Sequence, residues 1–451
     1  MSHPDPIRQR RAGNGWMKSR HPGGPMPRSS PARVAHDQTV RLLRNGCPFT
    51  ATVRAGSGVI AVDQPVALRL VGRRAVLIGG PAGVRTFYDE TLIRRRGATP
   101  AFLQNTLFGR NAVHGLDDET HRSRKRLFLD LITDDAAADM HRRALQGWRA
   151  ELAAWPDRGT VWDAAVRIFG TAVQGWAGVG PGGMSEIPDL QATRDRRSRD
   201  LATIVDGFGS VGVGALRARA ARRRADRWAT AAVLAARSHL GAQPPTPLTH
   251  IAGFRDTDGH LLPERTAGVE LLNILRPTVA VAWFAVFGAL ALIRHPDLRD
   301  RLSGSDESSD MLRAVANEIR RTTPFVPLLA GKARKGFRLG DVQVRTGTRV
   351  LLDVPGTNMD PGRWSSPESF RPERFLQDPG AATSDHFVPQ GGGDRYTGHR
   401  CPGEPFAVEL VTATLRALSE SSWTVPHQDL TVDARRIPTR PAGGIRLLVQ
   451  S

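Results

Sequence analysis

The sequence predicts a mostly α-helical protein with a small β-sheet region toward its N-terminal side, and a few stretches carry that expectation. Residues Pro263 to Ile293 read as one long helix, with Pro263 near its start and Pro296 beyond its end. Met311 to Thr322 and the apolar segment Phe406 to Leu418 read as further helices. Residues 140–240 read as several more, broken by Gly and Pro at 178–183. By contrast, Val66 to Ile78 alternates apolar and polar residues around Gly72-Arg73, the pattern of a hairpin, with a helix following from Pro81.

In chain order, residues 1–35 are rich in Arg, Pro, Gly and Ser without an apolar period, so a disordered basic extension is expected. Ile93 to Gly115 reads as loop and short helix and ends near His114 and His121. His121 to Ile132 is amphipathic, with Leu127, Phe128 and Leu131 on one side. His121 and Lys125 stand four apart and share a face, which by itself is the pattern of a solvated basic surface. The dense basic run Arg217 to Arg227 reads as a solvated helix face too. Glu318 and Arg321, three apart, read alone as a surface ion pair. Residues 337–352 read as strands and 440–449 as a last hairpin arm.

With 451 residues, 40% of them hydrophobic, the chain can bury a sizeable core, and length alone points to two domains. Two cysteines far apart, Cys47 and Cys401, argue against a disulfide framework and for a reducing compartment. The net charge is +19, of which residues 1–35 supply +6. The remaining basic residues are almost all Arg and are spread widely, with no stripe interleaved with aromatics, so no nucleic-acid partner is expected. The first 40 residues lack the apolar core of a secretory signal, and Val279 to Ile293 is short for a bilayer. A soluble, cytoplasmic protein with no membrane partner is the expectation.

Two stretches carry chemistry. In Phe387 to Glu404, FVPQGGGDRYTGHRCPGE, glycines 391, 392, 393, 398 and 403 surround Cys401, and Pro402 follows it. Such a loop lets the main chain pass close to something flat or bulky. It also brings a Cys to a helix N-terminus, where the dipole favours a thiolate. A surface turn with a buried, inert Cys explains the same features. No second Cys lies nearby, so a multi-ligand metal site is poorly supported, whereas one thiolate per site is the pattern of an axial haem ligand. The second stretch is LNILRPTVAVAWF, where Arg276-Pro277 interrupts an apolar run. An interior Pro costs about 3 kcal/mol, and an unpaired buried Arg is costly as well. Either the helix kinks and its Arg reaches a structural carboxylate, or Arg276 receives an anionic ligand in an apolar pocket. A guanidinium suits the latter because its fork matches a carboxylate.

The Cys401 loop resembles the Cys-ligand loop of the cytochromes P450. It is most similar to that of their fatty-acid peroxygenase and decarboxylase branch, whose longer loop runs from F-x-P-Q-GGG to GHRCPGE. Phe387, Pro389 and Gln390 stand where that pattern wants them. Where the wider family has Phe seven residues before the Cys and Gly four before it, this chain has Asp394 and Thr397. The resemblance extends from about residue 36 to the C-terminus and implies one haem-thiolate domain over 36–451. It implies Cys401 as the axial ligand of haem b iron, with His399, Arg95, His121 and Lys125 binding the cofactor, the last three toward its propionates.

Further along, LFG-x-NA-V-HG is similar to the branch's substrate-pocket segment. His114 stands where hydroxylases have Gln and mainly decarboxylating enzymes have His, and Phe108 where an aromatic packs behind it. Arg276-Pro277 replaces the acid–alcohol pair that most of the family uses in dioxygen activation, as in this branch. The resemblance thus implies Arg276, His114 and Pro277 as catalytic, with Arg276, Phe108 and His114 binding substrate. Glu318 and Arg321, completed by Arg374 of RPERF, resemble the family's buried Glu-x-x-Arg network, expected to support the Cys loop.

The implied function is hydrogen peroxide-dependent oxidation of long-chain fatty acids at the α or β carbon, by decarboxylation to terminal alkenes, hydroxylation or both. The substrate carboxylate, anchored by Arg276, serves as the acid–base group. Two alternatives stay open. One is a reductase-fed P450 monooxygenase acting on another carboxylic acid, with a ferredoxin or flavodoxin-type donor docked on the basic surface. The other is a non-enzymatic haem-binding sensor.

Overall fold

The computed structural model describes residues 33–180, 190–241, 244–303 and 308–450. All but the last three positions of the expected basic extension lie outside them. Helices come first as α1 (Thr39–Asn45), α2 (Phe49–Gly56), α3 (Gly80–Tyr88), α4 (Ala101–Leu107) and α5 (Asp118–Leu131). The long ones are α6 (Asp134–Ala153), α7 (Val161–Trp176), α8 (Leu190–Asp206) and α9 (Val213–Arg237), followed by α10 (Pro247–Gly253). Then come α11 (Glu264–Ala280), α12 (Ala282–Arg294), α13 (Pro296–Leu302), α14 (Ser308–Thr322), α15 (Val354–Asn358), α16 (Glu373–Gln377) and α17 (Glu404–Glu420). Threonines start several of them: the Thr133 and Thr160 hydroxyls accept the Ala136 and Asp163 amides, and Thr246 with Thr249 forms a capping box.

Six strands form the main sheet: β1 (Arg33–Asp37), β2 (Val66–Leu70), β3 (Arg73–Ile78), β4 (Ile93–Arg94), β5 (Leu328–Ala333) and β8 (Arg349–Asp353), in the order β1-β2-β3-β8-β5-β4. Two hairpins, β6 (Phe337–Leu339) with β7 (Val342–Val344) and β9 (Trp423–Thr424) with β10 (Leu448–Val449), stand apart from it. The predicted hairpin over 66–78 is present, but its turn is Val71-Gly72, with Arg73 already opposite Leu70. Both turn residues have positive φ, the conformation that matches the twist of a two-residue connection.

The largest core cluster lies among the helices, with Trp148 and Trp283 fully buried. There α17 packs against α6, α12 and α14, and α11 against α7, α8 and α9. The expected single helix from 263 to 293 is two, meeting at Val281. Pro277 lies inside α11 and donates no hydrogen bond, yet the helix persists for three more residues. The Thr278 hydroxyl bonds back to the Ile274 carbonyl at 2.8 Å, satisfying part of the loosened turn. By length and composition Glu264–Arg294 is apolar enough to cross a bilayer, but 89% of its most apolar window is buried inside the protein. Its apolarity is accounted for by the core.

Candidate active site

The Cys401 loop is clamped from three sides. The Cys401 amide bonds to the Gln390 carbonyl at 3.1 Å, closing the loop on itself. Gln390 in turn accepts from Arg320 of α14 at 2.9 Å, and Arg320 and Arg400 both pair with Glu404 in the first turn of α17. Asp394 accepts from the Tyr396 and Thr397 amides at 2.8 and 2.6 Å and from the Thr397 hydroxyl at 2.8 Å. The two positions that depart from the wider family's loop therefore bond to each other and form its turn.

The triple glycine has a local reason. A Cβ on Gly391 would sit 2.6 Å from the Tyr88 hydroxyl, and one on Gly393 would sit 2.8 Å from the Tyr88 ring. Both residues also have left-handed φ, +90° and +72°. The main chain thus passes close to α3 rather than needing the freedom only for a ligand. The Gly403 N–H at the start of α17 favours the Cys401 thiolate, as do Lys125 and Arg320, while burial, the largest influence, and the Glu404 carboxylate push the thiol up on balance.

Behind the loop, Glu318 is fully buried and holds Arg321 through two 2.8 Å bonds and Arg374 at 3.2 Å. A surface ion pair is therefore excluded. Arg321 also donates to the Asn358 carbonyl at 3.1 Å, and the Asn358 side chain accepts from the Val388 amide at 2.8 Å. This chain of bonds ends at the strand-like start of the Cys401 loop.

On the other side lies a group of basic side chains. Lys125 and His121 are each 2% exposed, so the solvated face is excluded for them as well. Lys125 donates to the Gly398 and Arg400 carbonyls, and burial lowers its pKa to about 8. His121 stacks on His399, ring centroids 3.7 Å apart, and its Nδ1 has no partner. Burial lowers His121 to about 4, with Lys125 and Arg95 adding to it. The Arg95 guanidinium lies 3.9 Å over the Phe87 ring. The nearby carboxylates are engaged elsewhere: Asp117 accepts the Arg95 and Arg96 amides, and Asp118 pairs with Arg334.

Farther along the interior, Arg276 is 5% exposed. Its Nη2 donates to the Asn273 side-chain oxygen at 3.2 Å, its Nε has no partner, and its Cζ lies 5.4 Å from the Phe108 ring centre. His114 stacks on the other part of that site, its ring 4.1 Å from Phe108. Burial lowers Arg276 to about 9, helped by nearby Arg222. His114 is exposed at its surface, yet the surrounding protein and the Arg276 charge lower it to about 3. Both ring and guanidinium thus converge on Phe108, as the sequence grouped them. Arg222, expected on a solvated face, is 3% exposed and is pinned by Asp226 and the Leu107 carbonyl. Glu270 and Asn273 were not singled out. Together with Arg276 they recur every three residues along α11, and that polar line in an apolar helix is the signal that marks them.

A half-buried cysteine on a loop tied down by hydrogen bonds, with the buried cations Lys125 and Arg276 in its electrostatic reach, marks the site of a thiolate-ligated haem protein. A family profile for Cytochrome P450 matches residues 307–442. Among solved structures, a point mutant of cytochrome P450SP alpha (CYP152B1) is 34% identical with TM-score 0.83, covering 91% of this chain and 98% of that one. Ligand-free cytochrome P450 OleT is 29% identical with TM-score 0.84, covering 93% and 99%. A curated relative, 11-hydroxysugiol 20-monooxygenase of Salvia miltiorrhiza, is 33% identical over 145 residues, 28% of each chain. The chain spans about a third of the length of the first curated relatives it matches, from 28% to 39%. The chain belongs to the cytochrome P450 family, in the CYP152 branch that holds fatty-acid peroxygenases and decarboxylases.

Its cofactor is haem iron, and the residues present fit it. Cys401 supplies the one soft donor, and a metal ion overrides the upward pressure on its thiol. Among the described residues, no carboxylate pairs with the side chains of Arg95, His121, Lys125 or Arg276. Lys125 and Arg276 are buried cations without a carboxylate partner, a costly state that anionic propionates and a ligand carboxylate offset.

Proposed function

We propose that the protein oxidises fatty acids at the α or β carbon with hydrogen peroxide, giving terminal alkenes by decarboxylation, hydroxy acids, or both. The observation that carries this reading is Arg276, a buried guanidinium with only an amide for a partner. Solved structures of related proteins add support: one of P450 OleT holds arachidonic acid and one of P450SP alpha holds (R)-ibuprophen. Both ligands are carboxylic acids.

Arg276 binds the substrate carboxylate through its free donor face, and Phe108 sets the plane against which it rests. His114, neutral at working pH, offers one donor and one acceptor without competing for the charge, and holds the head group toward decarboxylation. Pro277 leaves no acid–alcohol pair on α11, so the gripped carboxylate itself holds and moves the proton. Arg95, His121 and Lys125 hold the propionates, and His399 stacks behind His121. Haem on Cys401 supplies the oxidising chemistry, with the thiolate favouring O–O cleavage. Because the head group is anchored, the α and β carbons are the ones presented for reaction. Burial of the α11–α12 pair inside the protein supports a soluble enzyme.

The test is Arg276→Ala with peroxide and a panel of saturated long-chain acids, products identified by mass. Turnover is expected to fall by roughly 100-fold or more. Undiminished turnover removes the anchor from the mechanism, and turnover with a reductase system but not with peroxide returns the reductase-fed reading.

A further inference from the structure

Arg276 is oriented by a partner that carries no charge, and a full carboxylate lies one hydrogen bond further back. Glu270 is fully buried. Its Oε1 accepts from the Val113 amide at 3.0 Å and from Arg124 at 2.7 Å. Its Oε2 accepts from the Asn273 side-chain nitrogen at 3.0 Å, and the Asn273 oxygen accepts from Arg276 Nη2 at 3.2 Å. The amide is thus locked end to end. Val113 immediately precedes His114, so the same carboxylate ties down the loop bearing the imidazole. Glu270 itself is matched by Arg124, 9% exposed at its side chain, and this pair leaves Arg276 uncompensated.

We infer that Asn273 is a neutral spacer: with Glu270 behind it, it fixes the direction of the Arg276 guanidinium while keeping that cation free for a ligand carboxylate. This rests on the reading of Arg276 as the substrate anchor and adds how its selectivity for acids is maintained. A carboxylate touching Arg276 directly would occupy it, since a buried opposite charge at contact interacts strongly. Removing the spacer would leave a flexible side chain whose fork must be ordered at each binding event. Asn273 and Glu270 are positioning residues and touch no reacting atom.

The hydrogen-bond pattern permits a clean exchange. In the double variant Glu270→Gln with Asn273→Asp, the Gln oxygen still accepts from Val113 and Arg124, and its amide nitrogen donates to the new Asp. Total charge is unchanged: the carboxylate moves one step toward Arg276, and Arg124 keeps a neutral acceptor in place of its ion pair. Equilibrium binding of palmitic acid and of the matching fatty alcohol is measured on haem-loaded protein by calorimetry. The expected result is that acid affinity falls about tenfold or more, equivalent to about 1.4 kcal/mol or more, while alcohol affinity holds within about twofold. Asn273→Ala, which leaves the cation free but unoriented, is expected to weaken the acid by about threefold to tenfold, and it covers the case in which the double variant does not fold. Acid affinity unchanged in these variants, while Arg276→Ala loses it, overturns the spacer. Acid affinity unchanged in Arg276→Ala as well overturns the anchor and the spacer with it.

Discussion

Arg276 keeps its charge where water cannot help to stabilise it. Burial and the neighbouring Arg222 lower its pKa from 12.5 to about 9. The cation therefore persists at neutral pH and is lost as pH rises through about 9. Acid affinity is expected to be flat from neutrality to about pH 8 and to weaken by up to about tenfold per pH unit above the transition, as one proton is linked to binding. A pH series of the same calorimetric titration checks this, and a profile that stays flat well above about 9 would place the charge elsewhere. At this scale Arg276 and Pro277 were legible because each contradicts the apolar run around it. Glu270 and Asn273 were not, because nothing in one sequence says that a polar residue on a helix meets a loop 157 positions earlier, as Glu270 meets Val113.

At the scale of elements, the Cys401 loop depends on α3 as much as on its own glycines. Tyr88 fills the space that side chains at 391 and 393 would need. Gly393→Ala combines a left-handed φ with a contact at 2.8 Å to the half-buried Tyr88 ring. It is expected to cost about 2 kcal/mol of stability and to loosen haem retention, read by denaturant unfolding and by loss of Soret absorbance on dilution. The glycines themselves were evident in the sequence, but their neighbour was not, since α3 lies some 300 residues away in the chain. Element ends followed the same rule. Turn and cap residues placed the 66–78 hairpin to within a residue, whereas the break of α11 came at Val281 and not at the proline.

Across the whole molecule, the Glu318 network joins α14, the stretch before α16 and the start of the Cys loop. Glu318→Gln leaves Arg321 and Arg374 buried without the carboxylate that both pair with. The expected loss is about 3 kcal/mol or more, with weaker haem retention, measured by urea unfolding of the haem-loaded protein. A change below about 0.5 kcal/mol would show that the arginines find other partners. Local chemistry alone determined that this chain would be helical, which cysteine stood on a glycine-bounded loop, and which arginine was out of place in an apolar helix. Those are properties of neighbours in sequence, where periodicity and backbone freedom act over a few residues. Only the tertiary structure decided that Arg276 lacks a carboxylate, that Lys125 faces loop carbonyls instead of water, and that Glu270 binds His114's loop and Arg276's spacer together. Compensation of a buried charge depends on every group within several ångströms, and those groups come from segments that the chain brings together only by folding.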